Sequence, residues 1–125
     1  MAPLVREAQG VTDEAAPVYQ NAGGSADDAL NCRSINQTAA TLPGAGAEPL
    51  LAAVSALSAL NPQDGFEGMI ASQLVAAHNS AMTCFAKAVN AQGPDCLAYL
   101  AEGNKLARTF ATLVQARATY RGEVR

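Results

Sequence analysis

Residues 61–121 read NPQDGFEGMIASQLVAAHNSAMTCFAKAVNAQGPDCLAYLAEGNKLARTFATLVQARATYR, and this stretch decides the fold. Phe66, Ile70, Leu74, Ala77, Ala81, Phe85 and Ala88 recur every three or four residues, the spacing that places side chains on one face of an α-helix. Val75, Met82 and Val89 widen that face, and Gly68, Ala71, Ala76 and Ala81 admit close approach by another helix. Asn61 is the expected N-cap, with Asp64 and Glu67 favourable near the positive end of the helix dipole. Gly93-Pro94 ends this helix and Asp95 caps the next, which runs to about Tyr120. Its stripe is Cys96, Tyr99, Leu100, Gly103, Leu106, Ala107, Phe110, Val114 and Arg117, with Gly122 as a C-terminal stop. The two helices fold back on each other as an antiparallel hairpin, roughly 40 Å tall at 1.5 Å per residue.

Upstream, EPLLAAVSALSAL predicts a shorter helix over about residues 47–60. Pro49 fits its first turn, where a missing N–H costs nothing, and Leu50, Leu51, Val54, Leu57 and Leu60 make its apolar stripe. Asn61-Pro62 terminates it, because proline cannot continue the ladder. Both apolar faces of the hairpin are wider than a two-helix seam needs, and the 47–60 helix covers about half their length. The fold class is therefore all-α: a long helical hairpin plus a shorter preceding helix, completed as a bundle by oligomerisation.

Residues 1–46 read differently. Pro3, Gly10, Pro17, Gly23-Gly24, Pro43, Gly44 and Gly46 punctuate them, with few large apolar residues between. A short helix near Asp27–Thr38, capped by Ser25, is the only local signal. Such a segment buries too little to offset its ordering entropy, so residues 1–46 are expected to form a disordered or loosely docked arm. The expected organisation is this arm, a helical domain over 47–121 and a short tail at 122–125.

Half of the 125 residues are apolar, but aromatics make up only 5%. A core rich in alanine gains from close helix approach rather than from large side chains. The net charge of −3 is unevenly spread: Lys105, Arg108, Arg117, Arg121 and Arg125 crowd the C-terminal end, while acids dominate the first 60 residues. Cys32, Cys84 and Cys96 show no zinc or redox spacing, and the last two stand at unequal distances from the hairpin turn, too far apart for a disulfide. Reduced thiols, the lack of a signal-peptide pattern in MAPLVREAQG and the lack of a long apolar run point to a cytoplasmic protein.

The pattern N-P-x-D-x-x-E-G-M-I-A-x-Q-L-V-A-x-H-N-x-A-M-x-C, followed by N-K-L-x-R-T-x-A-T-L and a closing Arg-Gly, covers residues 61–122. It resembles a family of short uncharacterised bacterial helical proteins, mainly alphaproteobacterial and associated with phage-derived or mobile regions. In those relatives a Lys/Gln/Gly-rich segment and a Val/His-alternating tail follow the Arg-Gly, where this chain reads Glu123-Val124-Arg125. The resemblance implies a helical unit and carries no biochemical activity with it.

The chemistry-bearing residues are sparse. His78 is the single histidine; Glu67 shares its azimuth but lies about 16 Å along the axis, so the two cannot grip one ion in one helix. Met82, one turn on, makes a His/Met pair suited to soft copper, the basis of a ligand or metal reading near His78. The favoured reading is an interhelical polar layer of Gln73, His78, Asn79, Asn104 and Arg108 that fixes register and oligomer state. Lys105, Arg117, Arg121 and Arg125 are the candidate polyanion contacts, although at 100° per residue they scatter around the helix. No nucleophile–base pair, G-x-S-x-G, H-E-x-x-H or P-loop is present. The expectation is a non-enzymatic interaction or accessory protein without a cofactor. It self-associates through its hairpin, and its acidic N-terminal arm is available to a protein partner. A nucleic-acid accessory role through the basic end is the alternative.

Overall fold

Asp27, rather than Ser25, starts the helix that carries much of the core. Its extended backbone lets Oδ1 accept from the N–H groups of Ala29 (3.0 Å) and Leu30 (3.4 Å), while Ser25 Oγ accepts from Asp27 N at 2.9 Å. In the computed structural model, which describes residues 15–123, five helices follow in order. They are α1 (Ala16–Gly23), α2 (Asp28–Ala39), α3 (Glu48–Leu60), α4 (Gly65–Val89) and α5 (Pro94–Tyr120), and no strand occurs among the described residues. The fold is all-α with a long helix pair, as the periodicity predicts. The chain divides into two compact units, one through Val75 and one from Ala76, so the boundary falls inside α4 and not at residue 46.

In the first unit, Ala22, Cys32, Ile35, Leu57, Ala71 and Val75 form the core cluster, with Tyr19, Leu42, Leu50, Val54, Ala56 and Leu60 packed against it. The expectation of a loose arm is therefore corrected for residues 15–46; residues 1–14 lie outside the described residues. The physical reason is that this core is built from small and polar side chains. Asn31 is 0% exposed, and its amide closes the α1–α2 turn. Its Oδ1 accepts from Ser25 N (3.0 Å) and its Nδ2 donates to Ser25 O (2.8 Å). Thr38 Oγ1 donates to the Ser34 carbonyl at 2.7 Å and shares a hydrogen bond with Ser72 Oγ of α4 at 2.9 Å. With these groups satisfied internally, desolvation costs little and the helices approach closely. Gly68 shows how closely: a Cβ there would collide with the Gly23 carbonyl oxygen.

The α3–α4 junction also differs from expectation. Asn61 is the C-cap of α3, in the left-handed region (φ 51°) with its N–H donating to Ser58 O. Asp64 Oδ1 accepts from Glu67 N at 2.9 Å, and Glu67 Oε1 accepts from Gln63 N at 3.1 Å, a reciprocal cap at the start of α4. Glu67 is buried by this arrangement, whereas Phe66 and Leu51, both placed on inner stripes by periodicity, are exposed.

In the second unit the later half of α4 runs antiparallel to α5. His78 and Phe110 meet at 5.9 Å between ring centroids, and the Phe85 ring lies over Gly103. Each pair is equidistant in sequence from Pro94, which sets the register of the hairpin. Gly93 (φ 59°) makes the turn and is the residue before α5, with Pro94 in the first turn, so Asp95 lies within that turn rather than capping it. Ala77, Ala81, Cys84 and Ala88 supply the inward seam of α4 in this unit. On α5 it is Cys96, Tyr99, Gly103, Leu106, Phe110 and Leu113, spaced alternately three and four residues apart.

Candidate functional site

The inward seam uses only part of each apolar stripe. Met82 (53% exposed), Val89 (84%), Leu97 (69%), Leu100 and Val114 remain in solvent. Met82 and Val89 each stand one position after an inward residue of α4, as Leu97, Leu100 and Val114 do on α5. Viewed from one end, two antiparallel helices wind in opposite senses, so stepping one residue on from a facing seam turns both helices to the same side. The exposed apolar residues of α4 and α5 therefore form one side of the hairpin. On α5 that row is Leu97, Leu100, Asn104, Ala107, Ala111, Val114 and Ala118, without a charge in it. On α4 it is His78, Met82, Phe85 and Val89.

The opposite side, one position before the seam, is polar: Ser80, Thr83 and Lys87 on α4, and Asp95, Glu102, Lys105, Thr109 and Thr112 on α5. Thr83, Ala86, Lys87, Asn90, Ala91, Asp95 and Tyr99 line an open cleft of about 580 Å³ there. Lys87 Nζ lies 5.8 Å from the centre of the Tyr99 ring, and Thr83 Oγ1 donates to the Asn79 carbonyl at 2.9 Å. Thr83 is thus held by its own helix. The hairpin is amphipathic as a whole, not only helix by helix.

Of the five residues expected to form a polar layer, four lie in the second unit and one in the first. His78, Asn104 and Arg108 are exposed and Asn79 is half-buried in the second unit, while Gln73 is exposed in the first. His78 stacks at a tilt of 52° on Phe110, and both it and Asn104 belong to the apolar side. Arg108 stands beside that side, one turn from Asn104.

The candidate polyanion contacts are dispersed. Lys105 pairs with Glu102 at 3.3 Å, Arg121 lies 3.9 Å from Glu123, Arg117 is half-buried, and Arg125 lies outside the described residues. No group of three or more His, Cys, Asp or Glu among the described residues is placed to hold a metal ion. Cys32, Cys84 and Cys96 are not joined in a disulfide, and the first of them is buried. No helix among the described residues is long and apolar enough to cross a membrane.

The reading from sequence missed the partition of each stripe into a buried row and an exposed row. The signal was present in the excess width of both stripes, but only burial separates the rows. Comparison with family models, with curated proteins and with solved structures returns no match for this chain.

Proposed function

We propose that this chain is a non-enzymatic helical interaction module that associates with copies of itself through the apolar side of the α4–α5 hairpin. The observation that carries the reading is the one-sided exposure of Met82, Val89, Leu97, Leu100 and Val114, with Lys87, Asp95, Glu102 and Lys105 on the other side. Exposed large apolar side chains gathered on one face mark an interaction surface. Along α5 the face is about 30 Å long and along α4 about 20 Å, each helix being about 10 Å wide. That gives a flat area on the order of 500 Å², and side-chain relief brings it toward the roughly 800 Å² per partner of a standard interface. The likeness of residues 61–122 to a family of short, mainly alphaproteobacterial proteins is part of the same proposal, since that pattern covers the two helices that carry the face.

Sedimentation equilibrium at micromolar concentration tests the reading. The chain is expected to sediment as a dimer or tetramer, and Leu97→Glu with Leu100→Glu is expected to give a folded monomer. Glu102→Gln with Lys105→Gln, on the polar side, is expected to leave the oligomer intact. A folded wild-type monomer across the accessible concentration range would overturn the proposal.

A further inference from the structure

We infer that two copies pair about a two-fold axis that crosses α5 between Lys105 and Leu106, with α5 antiparallel to the partner's α5 and α4 antiparallel to the partner's α4. The inference rests on the self-association reading above and specifies its geometry. The exposed row of α5 has strict three–four spacing, with Leu97, Asn104, Ala111 and Ala118 in one heptad position and Leu100, Ala107 and Val114 in the other. In an antiparallel helix pair each position of the first kind meets one of the second kind. The register that overlaps the row from 97 to 114 places Leu97 opposite Val114, Leu100 opposite Ala111 and Asn104 opposite Ala107 of the second copy. Every layer then sets a larger side chain against a smaller one, as close packing requires.

The α4 row is compatible with the same axis. His78, Met82, Phe85 and Val89 follow the same spacing, and the corresponding antiparallel register places Met82 opposite Phe85 and Val89 opposite His78 of the second copy. Its axis crosses α4 between Thr83 and Cys84. The contacts of His78 with Phe110 and of Phe85 with Gly103 fix how the two helices are levelled about Pro94. On that scale the α4 and α5 axes both lie roughly 11 residues from Pro94 and agree to about one residue, ~1.5 Å of rise. Heptad spacing moves each axis in steps of about 3.5 residues, so some pair of registers always agrees to within about 1.75 residues, and the match means that the two rows are compatible with one two-fold. One two-fold therefore serves both helices, and Val89, the most exposed large apolar residue at 84%, is covered by the partner.

Asn104 explains the register. On either side of the axis the two Asn104 side chains lie about three residues, or roughly 4.5 Å, apart along the helix. They can hydrogen-bond to each other across Ala107. A slip of one heptad step widens that separation to about four residues in one direction, with Leu100 opposite each amide, and to about ten in the other, with Val114 opposite. The proposed register therefore brings the two amides nearest, and a polar residue in an apolar seam favours such a pairing.

Cross-linking tests the geometry. On a background of Cys84→Ala and Cys96→Ala, retaining buried Cys32, two single variants are prepared, Leu97→Cys and Val114→Cys. Both sites are exposed in the single chain, so folding is not at stake. Treated with a short bismaleimide, the mixture is expected to yield a covalent dimer that neither variant yields alone. Within one variant the two thiols would stand about 25 Å apart. Asn104→Leu is expected to tighten association by about tenfold. Self-cross-linking of either variant with Asn104 in place, or a dimer that gives no cross-link in the mixture, overturns the register while leaving self-association standing. A monomer by sedimentation removes both.

Discussion

Two glycines at the residue scale look alike in sequence and differ in what surrounds them. Gly68 faces the backbone carbonyl of Gly23, whereas a Cβ at Gly103 would meet the Phe85 ring at 2.5 Å. A backbone oxygen held in a packed turn cannot withdraw, so Gly68→Ala should cost about 2–3 kcal/mol, the range of overpacking. A phenyl ring can rotate away, and alanine gains about 1 kcal/mol of helix propensity over glycine. Gly103→Ala should thus shift the thermal midpoint by only a few degrees. Circular dichroism melts of the two variants check the contrast; equal losses would mean that Phe85 is as fixed as backbone. Asn31→Ala should be as costly as Gly68→Ala, at roughly 2–4 kcal/mol, because it strands both the N–H and the carbonyl of Ser25. Periodicity could not identify Asn31 as a core residue. An asparagine in a short helix reads as a solvent-facing residue until its two hydrogen bonds with Ser25 are seen.

Helix ends at the element scale show where local chemistry was ambiguous. Ser25 and Asp27 are both good N-cap types, as are Asn61 and Asp64. Backbone conformation chooses between them: Asp27 is extended at the start of α2, and Asn61 is left-handed at the end of α3. Asp27→Ala and Asp64→Ala should each cost about 1 kcal/mol in urea denaturation, while Ser25→Ala should cost less because its single hydroxyl contact is exposed. A loss at Ser25 exceeding that at Asp27 would return the cap to the serine. Glu67→Gln should be milder than Glu67→Ala, since the amide oxygen can still accept from Gln63 N.

At the scale of the whole molecule, the decisive difference concerns residues 15–46. If they were a loose arm, a chain beginning at Ala47 would keep its cooperative unfolding. With Ile35 and Cys32 buried in the first core, that truncated chain should instead lose the transition of the first unit. Scanning calorimetry of the two chains distinguishes these outcomes. The antiparallel hairpin itself was legible from residues 61–121 because a three–four apolar repeat interrupted by Gly93-Pro94 admits few alternatives. The width of its stripes likewise announced more apolar surface than two helices can cover. Sequence alone therefore determined the helices, their turn and the excess of apolar surface, all of which depend on spacing along one chain. Tertiary structure decided which row of each stripe is buried, that the exposed rows of α4 and α5 share one side, and that the alanine-rich, glycine-punctuated segment over 15–46 completes a core. Those outcomes depend on the levelling of two helices about Pro94 and on backbone approach at Gly68, which neighbours in sequence do not specify.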